Sequence, residues 1–367
     1  MELVNRSGPE GLQVTLIRGL GAERACAEQE LLDAHVPLAL SDRMAWATYL
    51  DRHEAWFLLV RDATGRACAG VAIEKVRTRA MPGHLILHIA RFGRSLSAEV
   101  CKVLLEAAAR LARKAPRVLR LQVNVFSLHG RETIALTLKE LGFHEVQRPS
   151  TYRHTLTVDL IPSEDEIFAT FDKSARNLIR ASKKKSLRSQ VITDPAYAAR
   201  LKELQLEALQ RTGGHSHTDD WQTILSLSRE HPSLSGVFGL FVGEDTAPES
   251  MAAFGWVCNH GDHGEYRAAG STRRGDTRIP FGYLLLWDMI CWSKATGAEW
   301  FDMGGVTLAD SEGNSLQGIS SFKRCFSRQV AEVGAEWVLD AAPVRSRIAN
   351  VISNRAKNMR NWVKKKA

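Results

Sequence analysis

Two periodicities alternate along the chain. Short stretches repeat apolar residues every second position, and longer ones repeat them every three or four. Leu12–Arg18 alternates as a first strand, and Ala22–Asp33 and Asp42–Leu50 read as helices. Trp56–Arg61 and Ala67–Val76 flank Thr64-Gly65 and predict a hairpin. His84–Ala90 is a further strand. Ser97–Lys114 predicts a helix, with Ser97 as cap, Glu99 in the first turn and apolar residues at Val100, Val103, Leu104 and Leu111. Val118–Phe126 is a strand, Arg131–Leu141 a helix stopped by Gly142, and Tyr152–Val158 a strand closing the series.

A second series follows. Ser163–Phe171 is a capped helix, Lys173–Lys185 a basic one, Pro195–Arg211 one rich in Leu, Ala and Glu, and Trp221–Arg229 a fourth. Val237–Val242 and Met251–Cys258 then form a hairpin. A strand at Glu265–Ala269, a helix at Pro280–Ala295, a strand at Glu299–Asp302, a helix at Ser315–Phe326 and a strand near Val333–Leu339 complete the order. Trp56 aligns with Val237, His84 with Gly264 and Val118 with Trp300, at offsets of about 180 residues, which suggests a duplicated unit. Expected boundaries are residues 1–158, 159–340 and a basic tail at 341–367.

Composition adds location to this picture. The net charge is +8, and residues 341–367 hold eight Lys or Arg and no acid, so the tail carries the entire excess. By spacing, Ile348, Val351, Ile352, Met359, Trp362 and Val363 lie along the tail as a helical stripe among those bases. The tail suits RNA, an anionic membrane or the protein's own surface. No apolar run is long enough to span a bilayer, and MELVNRSGPEGLQ lacks a signal-peptide core. Six scattered cysteines without a CxxC read as buried reduced thiols of a cytoplasmic protein.

The densest cluster of signals is Gly264–Arg328. Ala269-Gly270-Ser271 ends a strand bearing Tyr266, Pro280 leads an apolar helix, Phe301-Asp302-Met303-Gly304-Gly305 makes a turn, and Phe322-Lys323 precedes the last strand. Together these resemble the Fem family, the aminoacyl-tRNA-dependent peptidyltransferases that build peptidoglycan cross-bridges. The repeated element order resembles the GNAT (Gcn5-related N-acetyltransferase) fold. The resemblance therefore implies an α/β protein of two tandem GNAT-like domains, with mixed central sheets flanked by helices and a basic C-terminal helix. GNAT enzymes that use acyl-CoA carry R/Q-x-x-G-x-G/A between the central strand and the next helix, where backbone amides hold pyrophosphate. Arg91–Val100 (RFGRSLSAEV) and Ser271–Gly282 (STRRGDTRIPFG) do not match it.

On this resemblance Lys323 is a functional lysine near the transfer site, stabilising an oxyanion or holding a phosphate; otherwise it is a solvent-facing lysine. Asp302, at a strand's C-terminal end, is a candidate proton acceptor for the attacking amine, or a cap on the Gly304-Gly305 turn. Tyr266 matches an acceptor-site tyrosine, although Ala268 stands where relatives often carry a second one. His217 and Trp221 match positions that bind a nucleotide-sugar acceptor, with His replacing Arg. Arg176, Arg180 and Lys183 lie in a basic run suited to tracking phosphates. His215 and His217 form a His-x-His, but spacing places no third ligand, so no metal is expected.

The implied activity is transfer of an aminoacyl group from aminoacyl-tRNA, as co-substrate, to an amine of a nucleotide- or lipid-linked peptidoglycan precursor. No tightly bound cofactor is expected. The location implied is cytoplasmic, with peripheral contact at the inner face of an anionic membrane through the tail. Two alternatives remain: an acyl-CoA-dependent N-acyltransferase acting on a surface polysaccharide or lipid intermediate, and a non-catalytic RNA- or lipid-binding module.

Overall fold

The structure is a computed structural model describing residues 2–5, 11–93, 96–147, 149–184, 187–212, 218–272, 280–307 and 317–366. In chain order its elements are β1 (Glu2–Asn5), β2 (Gln13–Arg18), α1 (Ala22–Asp33), α2 (Met44–Tyr49), β3 (Trp56–Arg61), β4 (Ala67–Arg77), β5 (Leu85–Phe92), α3 (Ala98–Lys114), β6 (Val118–Phe126), α4 (Arg131–Glu140) and β7 (His144–Glu145). Then come β8 (His154–Asp159), α5 (Glu164–Thr170), α6 (Lys173–Lys184), β9 (Leu187–Val191), α7 (Ala198–Thr212), α8 (Trp221–Glu230), β10 (Ser235–Val242), β11 (Met251–Asn259), β12 (His263–Ser271), α9 (Phe281–Ala295), β13 (Trp300–Gly305), α10 (Gln317–Arg324) and β14 (Val330–Glu332). β15 (Gly334–Asp340) and α11 (Pro343–Lys366) finish the chain.

The elements form two compact units, Met1–Thr151 with Val333–Ala367, and Tyr152–Glu332. The first contains a sheet in the order β1-β2-β3-β4-β5-β6-β15-β7, the second a sheet in the order β14-β8-β13-β12-β11-β10-β9. Each sheet is antiparallel except at one parallel pair, β5 with β6 and β12 with β13. From β2 to β7 the first order repeats the second: β3, β4, β5 and β6 correspond to β10, β11, β12 and β13. The duplication read from the sequence is therefore present, in two tandem GNAT-like units.

The closing strands are exchanged relative to the sequence reading. Tyr152–Val158 was expected to close the first unit, yet β8 pairs with β13 and β14 in the second sheet. Val333–Leu339 was expected to close the second unit, yet β15 pairs along its length with β6 in the first. Alternation identifies a strand but not its partner. Several short strands also escaped the pattern. β9 follows a basic run whose charge hides the alternation of Leu187, Ser189 and Val191, and it pairs with β10.

Cores form where the periodicity places them. α3 begins with Ser97 Oγ accepting from Val100 N and buries Cys101, Val103, Leu104 and Leu105 against the first sheet. α9 is apolar almost all round, as a helix enclosed by structure must be, and packs Leu284, Leu285, Met289 and Ile290 into the second core. Its approach to the sheet requires Gly264, where an added Cβ would stand 2.1 Å from Ser293 Oγ. The six cysteines form no disulfide; Cys101 and Cys258 are buried, whereas Cys26, against expectation, is exposed on α1.

Candidate functional site

The two parallel strand pairs differ in one respect that positions the site. In the first unit, pairing of β5 with β6 continues to Phe92↔Val125, the end of β5 and the penultimate residue of β6. In the second, pairing of β12 with β13 stops at Glu265↔Asp302, although β12 runs on to Ser271 and β13 to Gly305. A bulge at Arg267 contributes, since Val257 pairs with Tyr266 and Trp256 with Ala268. The C-terminal ends of parallel strands are where α/β sheets place ligands.

Lys323 enters where this ladder ends. Its Nζ donates to Gly305 O at 2.9 Å on β13 and lies 5.6 Å from the centre of the Tyr266 ring on β12. α10 holds it there through one helical face. Ser320 Oγ accepts from Thr307 N at 3.2 Å, and Arg324 Nη2 donates to Thr307 O at 2.8 Å. Ser320, Lys323 and Arg324 are three and four residues apart, so one side of the helix bonds to the end of β13. Phe322 points elsewhere, against Tyr283 at 5.0 Å and Phe326 at 5.5 Å, anchoring the helix to α9. Within the Phe-Lys pair, Phe322 thus anchors the helix while Lys323 faces the strand end.

Lys323 is only 5% exposed, which excludes the solvent-facing reading. Burial pushes its ammonium down to about 8, while the charge of Asp302 opposes that shift. Gly304 makes room: its φ is +70°, and an added Cβ would stand 3.4 Å from Lys323 Nζ and 3.2 Å from Tyr266 O. Tyr266 is half-buried, and desolvation raises its phenol to about 12, so it stays protonated.

Asp302 is fully buried. Its Oδ1 accepts from Gly304 N at 2.8 Å and Thr155 Oγ1 at 2.6 Å, and its Oδ2 from Tyr152 OH at 2.5 Å. It therefore does cap the glycine turn, and Tyr152 covers its other oxygen. Tyr152 OH also lies 3.3 Å from Glu265 Oε1, and His260 Nε2 is 2.9 Å from Glu265 Oε2. Tyr152, Thr155, Glu265 and His260 were not picked out in the sequence. Tyr152 and Thr155 belong to the strand assigned there to the other unit. Glu265 and His260 carry a weak signal: polar residues in or beside an otherwise apolar strand.

The remaining expected residues are dispersed. Trp221 is 2% exposed, donates from Nε1 to Gln205 at 3.0 Å, and packs edge-on against Phe254 and Trp256. It is a core residue here and presents no face for stacking, contrary to the expected binding role. Its position at the head of a stripe with Ile224, Leu225 and Ser228 was the signal for this. His217, with its neighbour His215, lies outside the described residues, as does the side chain of Lys183. Arg176 is half-buried and donates to Ala169 O at 3.2 Å; Arg180 is exposed, 5.1 Å from the Phe168 ring. Both stand on the outer side of α6, whose Ala175 and Ile179 are in the core. Among the described residues no cluster suits a metal ion. The stretches compared with a pyrophosphate loop include residues 94–95 and 273–279, outside the described set. A cavity of about 400 Å3 elsewhere in the unit is lined by Thr170, Asp172, Arg324, Cys325 and Arg328, but by none of Lys323, Asp302 or Tyr266.

No protein-family model matches the sequence, and no curated protein does. Among solved structures, FemX aligns with a TM-score of 0.72 at 15% identity, over 88% of this chain and 98% of FemX. L-PGS from Bacillus licheniformis aligns at 0.51 with 16% identity, over 91% and 97%. The C-terminal domain of a protein assigned as a lysylphosphatidylglycerol synthetase, from Agrobacterium fabrum, aligns at 0.52 with 12% identity, over 90% and 96%. Identities this low speak for architecture, and on that evidence the chain has the tandem GNAT-like fold of FemX.

Proposed function

We propose that the protein is an aminoacyltransferase that moves an aminoacyl group from aminoacyl-tRNA to an amine of a peptidoglycan precursor. The observation that carries the reading is the buried ammonium of Lys323 at the end of the β12–β13 ladder. In this reaction the amine nitrogen forms a bond to the ester carbonyl carbon, and negative charge develops on the carbonyl oxygen. The ester C–O bond then breaks, and the proton lost by the amine is, in net, the one the departing ribose oxygen gains as its hydroxyl. With its pKa near 8, Lys323 is mostly protonated at pH 7. A pre-positioned ammonium in a site with little water suits the developing oxyanion.

Asp302 is read as a positioning residue. It is buried beneath Tyr152, fixes the Gly304 turn and favours the charged form of Lys323. Tyr266 offers a protonated phenol beside Lys323 to the acceptor. Arg176 and Arg180 present charge to phosphates from the outer side of α6. No covalent enzyme intermediate is needed, because positioning and charge stabilisation suffice for attack on an activated ester.

Likeness to the domain from Agrobacterium fabrum assigned as a lysylphosphatidylglycerol synthetase supports a second reading, with a lipid as acceptor. One experiment tests both. The full chain is incubated with radiolabelled aminoacyl-tRNA and, separately, nucleotide-linked precursor, lipid-linked precursor or phosphatidylglycerol, and the labelled product is isolated. Label on a precursor amine supports the first reading and label on phosphatidylglycerol the second. Label on neither, with transfer from acetyl-CoA in a parallel arm, overturns both.

A further inference from the structure

α11 carries its apolar residues on the wrong side for a helix that serves the core. The side chains facing the first unit are small: Ser346 and Ala349 are buried, and Ser346 Oγ donates to Leu119 O at 2.8 Å on β6. Arg120 Nη2, also on β6, donates to Asn350 Oδ1 at 2.6 Å. The large apolar side chains are exposed: Val344 72%, Ile348 47%, Val351 52% and Ile352 44%. Their spacing of four, three and one places them on a single stripe, roughly opposite Ser346 and Ala349. Arg345 and Arg347 are exposed on either side of that stripe, and Arg355, one turn beyond Val351 and Ile352, is exposed in line with it. The sequence continues the same spacing with Met359, Trp362 and Val363, and residues 341–367 hold eight bases and no acid.

We propose that α11 is a docking surface for an anionic lipid bilayer, lying in the plane of the interface with the Val344–Ile352 stripe inserted, the flanking Arg345 and Arg347 at headgroup depth, and Arg355 ending the inserted stretch with its guanidinium reaching up to the same headgroups. An apolar stripe bordered by Lys and Arg, with a Trp, matches both layers of such a surface. A second copy of this chain would bring eight further cations against the first eight. RNA would engage the bases but leaves the apolar stripe in water. No described helix is long and apolar enough to cross a membrane, so contact is peripheral. The inference does not depend on the transfer reaction.

The test is co-sedimentation of the full chain with vesicles of phosphatidylglycerol alone or phosphatidylcholine alone. Binding to phosphatidylglycerol, falling as salt rises, and little binding to phosphatidylcholine are expected. Val344→Ser, Ile348→Ser, Val351→Ser and Ile352→Ser combined should weaken that binding at least tenfold, about what losing several partly inserted aliphatic side chains implies. Arg345→Gln, Arg347→Gln and Arg355→Gln combined should weaken it about a hundredfold, at about fivefold per base near the surface. All seven side chains are exposed, so the fold survives either set. Absence of binding to phosphatidylglycerol, or a serine variant that binds as tightly as the parent, overturns the proposal. So does a parent chain that self-associates, or binds tRNA, through the apolar stripe instead.

Discussion

Replacing Lys323 with Met should impair transfer and stabilise the protein at once. Burial lowers the ammonium from 10.5 to about 8, and each unit is worth about 1.4 kcal/mol, so holding the charge costs the folded state about 3 kcal/mol at neutral pH. Met keeps the length and apolar stem. It loses the hydrogen bond to Gly305 O, worth about 1 kcal/mol net. The variant should therefore be about 2 kcal/mol more stable at pH 7, raising the Tm by roughly 4–8 °C if unit Tyr152–Glu332 melts as a body. The pH dependence fixes the cause. The folded pKa lies below the unfolded one, so between pH 8 and 10.5 the unfolded chain binds more protons, and wild-type stability gains with rising pH. The advantage of Met should be full below pH 8 and gone by pH 10.5. Urea denaturation of both proteins at pH 7 and pH 10.5 reads it directly. In transfer assays the rate should fall roughly 100- to 1000-fold if the ammonium stabilises an oxyanion. If Lys323 instead anchors a phosphate, affinity falls and the maximal rate survives. A variant less stable than wild type at pH 7 would refute the claim that Lys323 is a strained, desolvated charge held for function.

Gly304→Ala should lower both stability and rate, because φ of +70° costs a side chain roughly 1–2 kcal/mol and the new Cβ approaches Lys323 Nζ and Tyr266 O; thermal melts and steady-state kinetics check this. Trp221→Phe should cost roughly 1–3 kcal/mol by leaving buried Gln205 short of a donor, with acceptor affinity unchanged in binding titrations. In the first unit, His88 donates to Glu74 at 3.0 Å, and burial, then the charge of Arg52, lowers its pKa from 6.5 to about 4. Stability should thus fall as pH drops from 6.5 towards 4, by up to about 3 kcal/mol. His88→Gln should flatten that acid limb in denaturation curves.

The sequence announced α3 through its cap and stripe, and the two units through their spacing, because those signals lie within a few residues or repeat. It also pointed to Lys323 and Asp302, since the Phe-Lys pair and the Gly-Gly turn are local. It did not show that Tyr152 reaches Asp302 and Glu265, which are 150 and 113 residues away. Nor did it show where the β12–β13 ladder ends, because that depends on one extra residue at Arg267 opposite β11. Trp221 illustrates an aromatic read by correspondence when its own helical spacing described a core position.

The placement of β15 has a consequence for synthesis. Unit Tyr152–Glu332 is continuous in the chain, whereas the first unit takes residues from both sides of it. As the chain leaves the ribosome, every strand of the second sheet is present once β14 has emerged. At that moment β6 still has a bare edge, because its neighbour β15 comes next. The unit that begins first is thus completed last, and β6 waits through about 200 residues of elongation as an open template for mispairing. A released chain ending at residue 332 should have a protease-resistant second unit and a susceptible first, and extending it through β15 and α11 should close the first.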